Sequence, residues 1–404
     1  MLARVVASGV TAAGSDALMF GMVPTPVTAY GSRKGGCKIA FSVTASHNPP
    51  EYSGVKLFNG KGMELSVEEE ARIERALAVD VGKSSRGYGG IHDWSPLDSY
   101  VRSLVGSFGE AEKAMRIVVD CANGPGALVT PRVLQALGHD VTPLNAQVSW
   151  RFPARMPEPT PQTLSETASV VPALGADFGF AHDGDADRLV MINSAGEVLP
   201  DSVVSVIALR VLGKRSGVVI LSENTSVEVE EEAVRLGLRV VRSRIGKTFA
   251  EIEKESAVFA TEPSKVVNPG WGMWEDGMYC AALITDGISK NPELLDVLRE
   301  ERRWHYRQIN FQLSVDFQRV VVKAEAEFAR FRVSEERHLD GLKLVFKDQS
   351  WIMFRPSGTE PKVRVYCESR DRVRLGELLD VASKVLQESS VGERGGLEGR
   401  VPHV

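Results

Sequence analysis

Cysteine is scarce in this chain, four residues in 404, and Cys37, Cys121, Cys280 and Cys367 lie far apart with no Cys-x-x-Cys pair. That spacing offers no disulfide framework, and the four read as reduced core thiols of a cytoplasmic protein. Long apolar runs are also missing: none reaches the length needed to span a bilayer, and the N-terminus lacks the basic, apolar, small-residue order of a signal peptide. No long basic run exists and the formal net charge is −5, which argues against nucleic acid or an anionic membrane as a partner. Any phosphate must therefore be held by local groups. The sequence carries no signal of oligomeric state.

What is present is an ordinary soluble composition, 43% hydrophobic and 25% charged, in a chain too long for one core. At about 150 residues per domain it divides into two to four. Residues 1–110 alternate helix and strand: a helix to about Ala13, a strand over 17–22, a helix after Pro26 and a strand over 37–43. That rhythm argues for βαβ units around a parallel sheet. Residues 1–10 are already an apolar helix pattern with no cap or lead-in, as if the first helix had been cut into. Further αβ units begin near Glu110 and near Asp201. After about Asn291 the character changes, and residues 311–322 and 342–346 read as antiparallel strands around a short helix, a smaller α+β domain.

Four stretches carry chemistry. The first is Val43-Thr44-Ala45-Ser46-His47-Asn48-Pro49-Pro50, where a serine leaves an apolar strand and two prolines forbid its continuation. Ser46 is thus offered at a loop mouth, where function concentrates, although an ordinary turn has the same local chemistry. Lys56 follows on the next strand, as a partner of that loop or as a plain surface lysine. The second stretch is Asp183-Gly184-Asp185-Ala186-Asp187-Arg188 between two apolar strands. Carboxylates at i, i+2 and i+4 of extended backbone share one side, and such a cluster is tolerable mainly around a cation. Hard oxygen ligands indicate Mg²⁺ or Ca²⁺. A calcium loop fails on spacing, since it needs glycine and glutamate where Arg188 and Ser194 stand. A solvated acidic turn is the alternative.

The third stretch is Thr261-Glu262-Pro263-Ser264-Lys265, a strand running into a polar loop whose Glu262 and Ser264 fit hydroxyls of a polar ligand or simply close a turn. Upstream, Arg244 and Lys247 bring two cations to a strand end, suited equally to an anion and to solvent. The fourth is Arg355-Pro356-Ser357-Gly358-Thr359-Glu360-Pro361-Lys362. Arginine's fork matches phosphate oxygens, and successive amides form an anion nest; a structural turn is the other reading. It is not a Walker loop, which needs a following lysine and helix.

Taken together and in order, Thr44-Ala45-Ser46-His47-Asn48-Pro49, Asp183 to Arg188, Glu262-Pro263-Ser264 and Arg355-Pro356-Ser357-Gly358-Thr359-Glu360-Pro361 resemble the α-D-phosphohexomutase family, the phosphomannomutases, phosphoglucomutases and phosphoglucosamine mutases. The resemblance implies an α/β fold: three similar αβ domains with mixed, mainly parallel sheets plus a smaller C-terminal α+β domain around one cleft. The implied bounds are 1–110, 111–205, 206–305 and 306–388, with a disordered tail over 389–404. It implies that Ser46 carries a phosphoryl group and shares one Mg²⁺ with Asp183, Asp185 and Asp187. Hexose 1-phosphate and hexose 6-phosphate would interconvert through a 1,6-bisphosphate, which also serves as activator. His47, Lys56 and Arg188 would move protons or stabilise charge. Glu262 and Ser264 would bind sugar hydroxyls, and Arg244, Arg355, Ser357, Gly358 and Thr359 would bind the phosphosugar's phosphate.

Two departures from the family pattern stand out. Relatives begin with an extra segment containing a Gly-Ile-Arg-Gly-like loop, which sets the expectation that the true start lies upstream of Met1. Relatives also continue the Glu-x-Ser loop with Gly-His, where this chain has Lys265-Val266, and Thr261 replaces a glycine. Phosphomannomutase and phosphoglucomutase are the leading activities. The alternatives are phosphoglucosamine mutase, a phosphosugar-binding protein that has lost catalysis, and a metal-dependent phosphatase, the last disfavoured by a loop apt for a second phosphate.

Overall fold

The computed structural model describes residues 1–77, 87–300, 303–312, 316–357 and 361–390. The chain forms two compact units, the first made of Met1–Ile220, Glu232–Val241 and Lys247–Glu300, the second of Leu221–Glu231, Arg242–Gly246 and Glu301–Val404. The fold is α/β with mixed, mainly parallel sheets.

In the first unit, β1 (Ala17–Met19), β2 (Ile39–Val43), β3 (Val55–Asn59) and β4 (Ile91–Asp93) make two separate two-stranded sheets. β1 and β4 are parallel, but β2 and β3 are antiparallel, with Val43 opposite Val55. The βαβ rhythm read over residues 1–110 does not extend to this pair for a simple reason. No helix lies between the two strands, and a direct loop can join only antiparallel neighbours. Next come β5 (Arg116–Asp120), β6 (Asp140–Leu144), β7 (Phe178–Ala181) and β8 (Val190–Asn193), in the order β6-β5-β7-β8. β5 is parallel to β6 and β7, and β8 returns antiparallel. Val118, Val171, Ala176 and Ile192 form its core on one face, and the near-continuous burial of β7 and β8 explains their apolar runs.

A third sheet has the order β10-β9-β11-β12, from β9 (Val218–Ser222), β10 (Arg239–Ser243), β11 (Phe259–Glu262) and β12 (Lys265–Val267). Ile220, Phe249, Ile252, Ala260 and Val267 pack its centre.

The second unit holds an antiparallel sheet in the order β13-β17-β16-β15-β14: β13 (His305–Gln312), β14 (Val333–Arg337), β15 (Leu342–Phe346), β16 (Trp351–Pro356) and β17 (Lys362–Ser369). The helices Phe317–Phe328 and Arg372–Ser390 cover one face with Val320, Ala324, Phe328, Leu378 and Val385. The strand expected over 311–322 is corrected here, because β13 ends at Gln312 and a helix opens at Phe317. Asp316 caps it by accepting from the Gln318 N–H, and burial at 320, 321, 324 and 328 follows the helical period rather than alternation. The last helix includes Ser389 and Ser390; the rest of the expected tail lies outside the described residues. Among those described, no helix is long and apolar enough to cross a membrane, and all four cysteines are free.

Candidate active site

β2 ends at Val43 and its exit loop turns at Ser46, which adopts φ 54° while its N–H is held by Thr44 Oγ1 at 2.9 Å. β7 ends at Ala181 and delivers the aspartates. The extended backbone expected there is absent. Residues 184–187 form a turn with Ala186 at φ 62°, and the turn, rather than alternation, converges the three side chains. Their carboxylate oxygens lie within 4.8 Å of one another, all buried. Gly184 is required by a close approach: a Cβ there would sit 2.4 Å from the Ser46 carbonyl oxygen. The two loops meet, and Ser46 Oγ donates to Asp183 Oδ2 at 3.1 Å.

Cations close around the aspartates. Lys56 Nζ donates to Asp185 Oδ2 at 3.0 Å and Asp187 Oδ2 at 2.6 Å. Lys265 Nζ lies 3.3 Å from the same Asp187 oxygen and also pairs with Glu275. Arg188 Nε is 3.9 Å from Asp183 Oδ2, and its Nη2 donates to His47 Nδ1 at 2.9 Å. That donation leaves His47 Nδ1 as the acceptor and fixes the imidazole tautomer. Burial, followed by the Arg188 charge, lowers the imidazole to about 4, so His47 is neutral at pH 7.

The carboxylates are not equivalent. Burial and its two neighbours push Asp183 well above the usual range. Burial would raise Asp187 too, but Lys265, Lys56 and Arg188 overcome it and hold that carboxyl far below. Burial likewise opposes the Lys56 ammonium, yet Asp185, Asp187 and Asp183 keep it well above an ordinary lysine. Despite these cations, Asp185 Oδ1 and Asp187 Oδ1 are buried without a hydrogen-bond partner. Two orphaned carboxylate oxygens beside Asp183 are a donor set that fits a hard divalent cation.

The β11–β12 turn brings in the third motif. Leu189 N donates to the Ser264 carbonyl at 2.8 Å, and Arg188 and Lys265 form an antiparallel bridge. Glu262 and Ser264 are both buried, and Ser264, at φ 63°, donates its hydroxyl to Asp201. Thr261 donates to the Lys265 carbonyl. Sequence reasoning missed three participants: Thr25, whose Oγ1 donates to Asp185 Oδ2 at 2.7 Å; Lys265; and Glu275, which burial raises to about 7. Thr25 stands between prolines in Pro24-Thr25-Pro26, a signal of a fixed turn that was available. Nothing in the sequence tied Glu275 to the site.

The fourth motif and Arg244 belong to the second unit. Asp340 organises both, accepting from Arg355 Nε at 2.8 Å and from Ile245 N at 3.0 Å through one oxygen. Arg244 is exposed beside Ile245 and makes no ion pair among the described residues. Ser357 N donates to the Lys362 carbonyl at 2.9 Å, closing the base of the loop. Gly358 and Thr359 lie outside the described residues.

The sequence and the fold also match known proteins. The chain matches phosphoglucomutase/phosphomannomutase alpha/beta/alpha domain I over residues 1–80, alpha/beta/alpha domain II over 98–196 and the C-terminal domain over 318–384. It is 32% identical to a protein of Thermococcus kodakarensis named phosphopentomutase, covering 96% of this chain and 89% of that one. It is 33% identical to a Methanopyrus kandleri protein named "Probable phosphoglucosamine mutase", covering 94% and 85%. A crystal structure of a phosphoglucomutase/phosphomannomutase family protein from Burkholderia thailandensis superposes with a TM-score of 0.82 at 25% identity, covering 97% of this chain and 87% of that one.

Proposed function

The chain belongs to the α-D-phosphohexomutase family of isomerase-class phosphotransferases, and we propose that it moves a phosphoryl group between C1 and C6 of a hexose phosphate through Ser46. The observation that carries this reading is the contact of Ser46 Oγ with Asp183 in a buried trio of aspartates that has two unpaired oxygens. In the first half-reaction the bond from phosphorus to Ser46 Oγ breaks and one to a sugar hydroxyl oxygen forms. The hydroxyl proton leaves and Ser46 recovers its own, giving a hexose 1,6-bisphosphate. The bisphosphate then returns the phosphoryl group of its other end to Ser46. Because one serine serves both halves, the sugar must bind in two orientations.

Neutral His47 and the cations Lys56 and Arg188 are assigned to proton transfer and to stabilising the charge that develops on the transferring oxygens. Asp183, Asp185, Asp187 and the Ser46 oxygen would hold Mg²⁺, which when bound neutralises charge on the phosphoryl group. Glu262 and Ser264 are assigned to the sugar hydroxyls. Arg244, Arg355, Ser357, Gly358 and Thr359 are assigned to the phosphate that is not reacting, with Arg355 oriented by Asp340.

For the sugar we favour glucose or mannose phosphate. The names of two relatives support a second reading, an amino-sugar or pentose phosphate. The test is a panel of glucose, mannose, glucosamine and ribose 1-phosphates with Mg²⁺ and hexose 1,6-bisphosphate, read for isomer and for free phosphate, with Ser46→Ala as control. Isomer without free phosphate, abolished in Ser46→Ala, is expected. Free phosphate without isomer would assign the site to a phosphatase instead.

A further inference from the structure

The aspartate loop is nearly charge-balanced by the protein's own side chains. Three cations, Lys56, Lys265 and Arg188, meet Asp183, Asp185 and Asp187. Lys265 comes from the start of β12 rather than from the aspartate loop itself. It is also firmly placed. Its backbone bridges Arg188, its Nζ lies 3.3 Å from Asp187 Oδ2, and its other partner Glu275 precedes Asp276, the cap of the helix Gly277–Lys290. Gly277 fixes that helix start against the aspartate loop, since a Cβ there would lie 2.3 Å from the Arg188 carbonyl oxygen.

We infer that Lys265 is a resident counter-ion of the aspartate loop, neutralising Asp187 in part and thereby weakening the loop's affinity for a divalent cation. A positive charge sharing the oxygen of one ligand repels an incoming ion, and at the effective dielectric of a buried site one unit charge a few ångströms away changes affinity by at least tenfold. The same charge lets the loop fold around its carboxylates before any ion arrives.

The inference rests on the proposed reading of Asp183, Asp185 and Asp187 as the ion site, and the experiment separates the two. Mn²⁺ binding is measured by electron paramagnetic resonance on the full chain, and thermal melting is followed with and without Mn²⁺. Lys265→Gln, which keeps a donor for Glu275 but no charge, is expected to bind Mn²⁺ at least tenfold more tightly and to gain more in melting temperature from it. Lys265→Arg restores the charge and is expected to match the wild type. If Lys265→Gln fails to fold without Mn²⁺ but folds with it, the counter-ion role is equally supported. Unchanged or weaker Mn²⁺ binding by Lys265→Gln overturns the inference, as does failure of that protein to fold under both conditions while Lys265→Met folds and binds like the wild type. Asp185→Asn tests the ion site alone: if it leaves Mn²⁺ binding intact, the site reading has failed rather than the role of Lys265.

Discussion

Replacing Arg155 by Met is expected to destabilise the first unit by about 3 kcal/mol at pH 7, within the range of roughly 3–5 kcal/mol for removing one partner of a buried ion pair. Arg155 Nε is 2.8 Å from Asp120 Oδ2, and the two side chains are 5% and 0% exposed. Its other nitrogens donate to the carbonyls of Met156, Pro157 and His182, the last at 2.6 Å. Asp120 keeps two further donors after the substitution, Thr167 Oγ1 at 2.5 Å and Ala122 N at 2.8 Å, which places the cost at the lower end. The pH dependence gives the sign. Burial raises the Asp120 carboxyl, but the Arg155 charge and these hydrogen bonds outweigh it, so the folded value lies below the ordinary one. A depressed carboxyl stabilises the fold above the unfolded value of about 3.9, and that stability is lost as pH falls through the folded value. In the variant the Arg155 charge is gone and only the Thr167 and Ala122 hydrogen bonds oppose burial, so the folded value rises past the unfolded one and the slope reverses. The stability gap between the two proteins, read from urea unfolding by circular dichroism, should therefore narrow between pH 7 and about pH 4. Asp120→Asn combined with Arg155→Met should recover some of the loss. A cost under about 1 kcal/mol at pH 7, or a gap independent of pH, would refute the reasoning.

Gly184→Ala should lower kcat on the order of 100-fold, because its Cβ would press on the Ser46 carbonyl oxygen and separate the serine and aspartate loops, which must stay in register; steady-state kinetics on a folded variant reads it directly. Asp340→Ala should raise KM several-fold with a smaller change in kcat, since it frees Arg355 and the Ile245 N–H together without touching Ser46. Asp316→Ala removes the cap of the helix Phe317–Phe328 and should cost the second unit about 1 kcal/mol in chemical denaturation.

The alternation of apolar runs with glycine and proline made the sheets of the first unit legible, because β5, β7 and β8 are buried on both faces and leave almost no polar residue in their sequences. The helix at Phe317 was not legible for the opposite reason. Val320-Val321-Val322 is a β-branched run, but only Val320 and Val321 are buried while Val322 is exposed, and the partner sheet that selects this face is made of residues remote in sequence. At the site, the one-dimensional motifs contained Ser46 and the aspartates but not their geometry. What converges the carboxylates is the left-handed conformation of Ala186, a residue with no intrinsic preference for it. Glu275 and Thr25 join the cluster through packing across long sequence separations, which no local pattern encodes.

The distribution of charge in that cluster explains why a phosphoserine would need a cation the chain does not supply. Lys56 and Lys265 both engage Asp187 Oδ2, and Asp185 is shared between Lys56 and Thr25. Ser46 Oγ instead touches Asp183, the carboxyl that burial and then its two neighbours push upward and that Arg188 approaches only to 3.9 Å. A phosphoryl group on Ser46 adds about −1.5 to −2 charges at that end, where repulsion is already greatest. The lysines cannot relieve it without abandoning Asp187. Among the described residues of the first unit, the positive charge is concentrated at one end of the aspartate trio and the reacting oxygen lies at the other. A divalent ion held by Asp183, Asp185 and Asp187 would offset that asymmetry, and removing it with a chelator should therefore weaken the phosphorylated protein's thermal stability more than that of the unphosphorylated one.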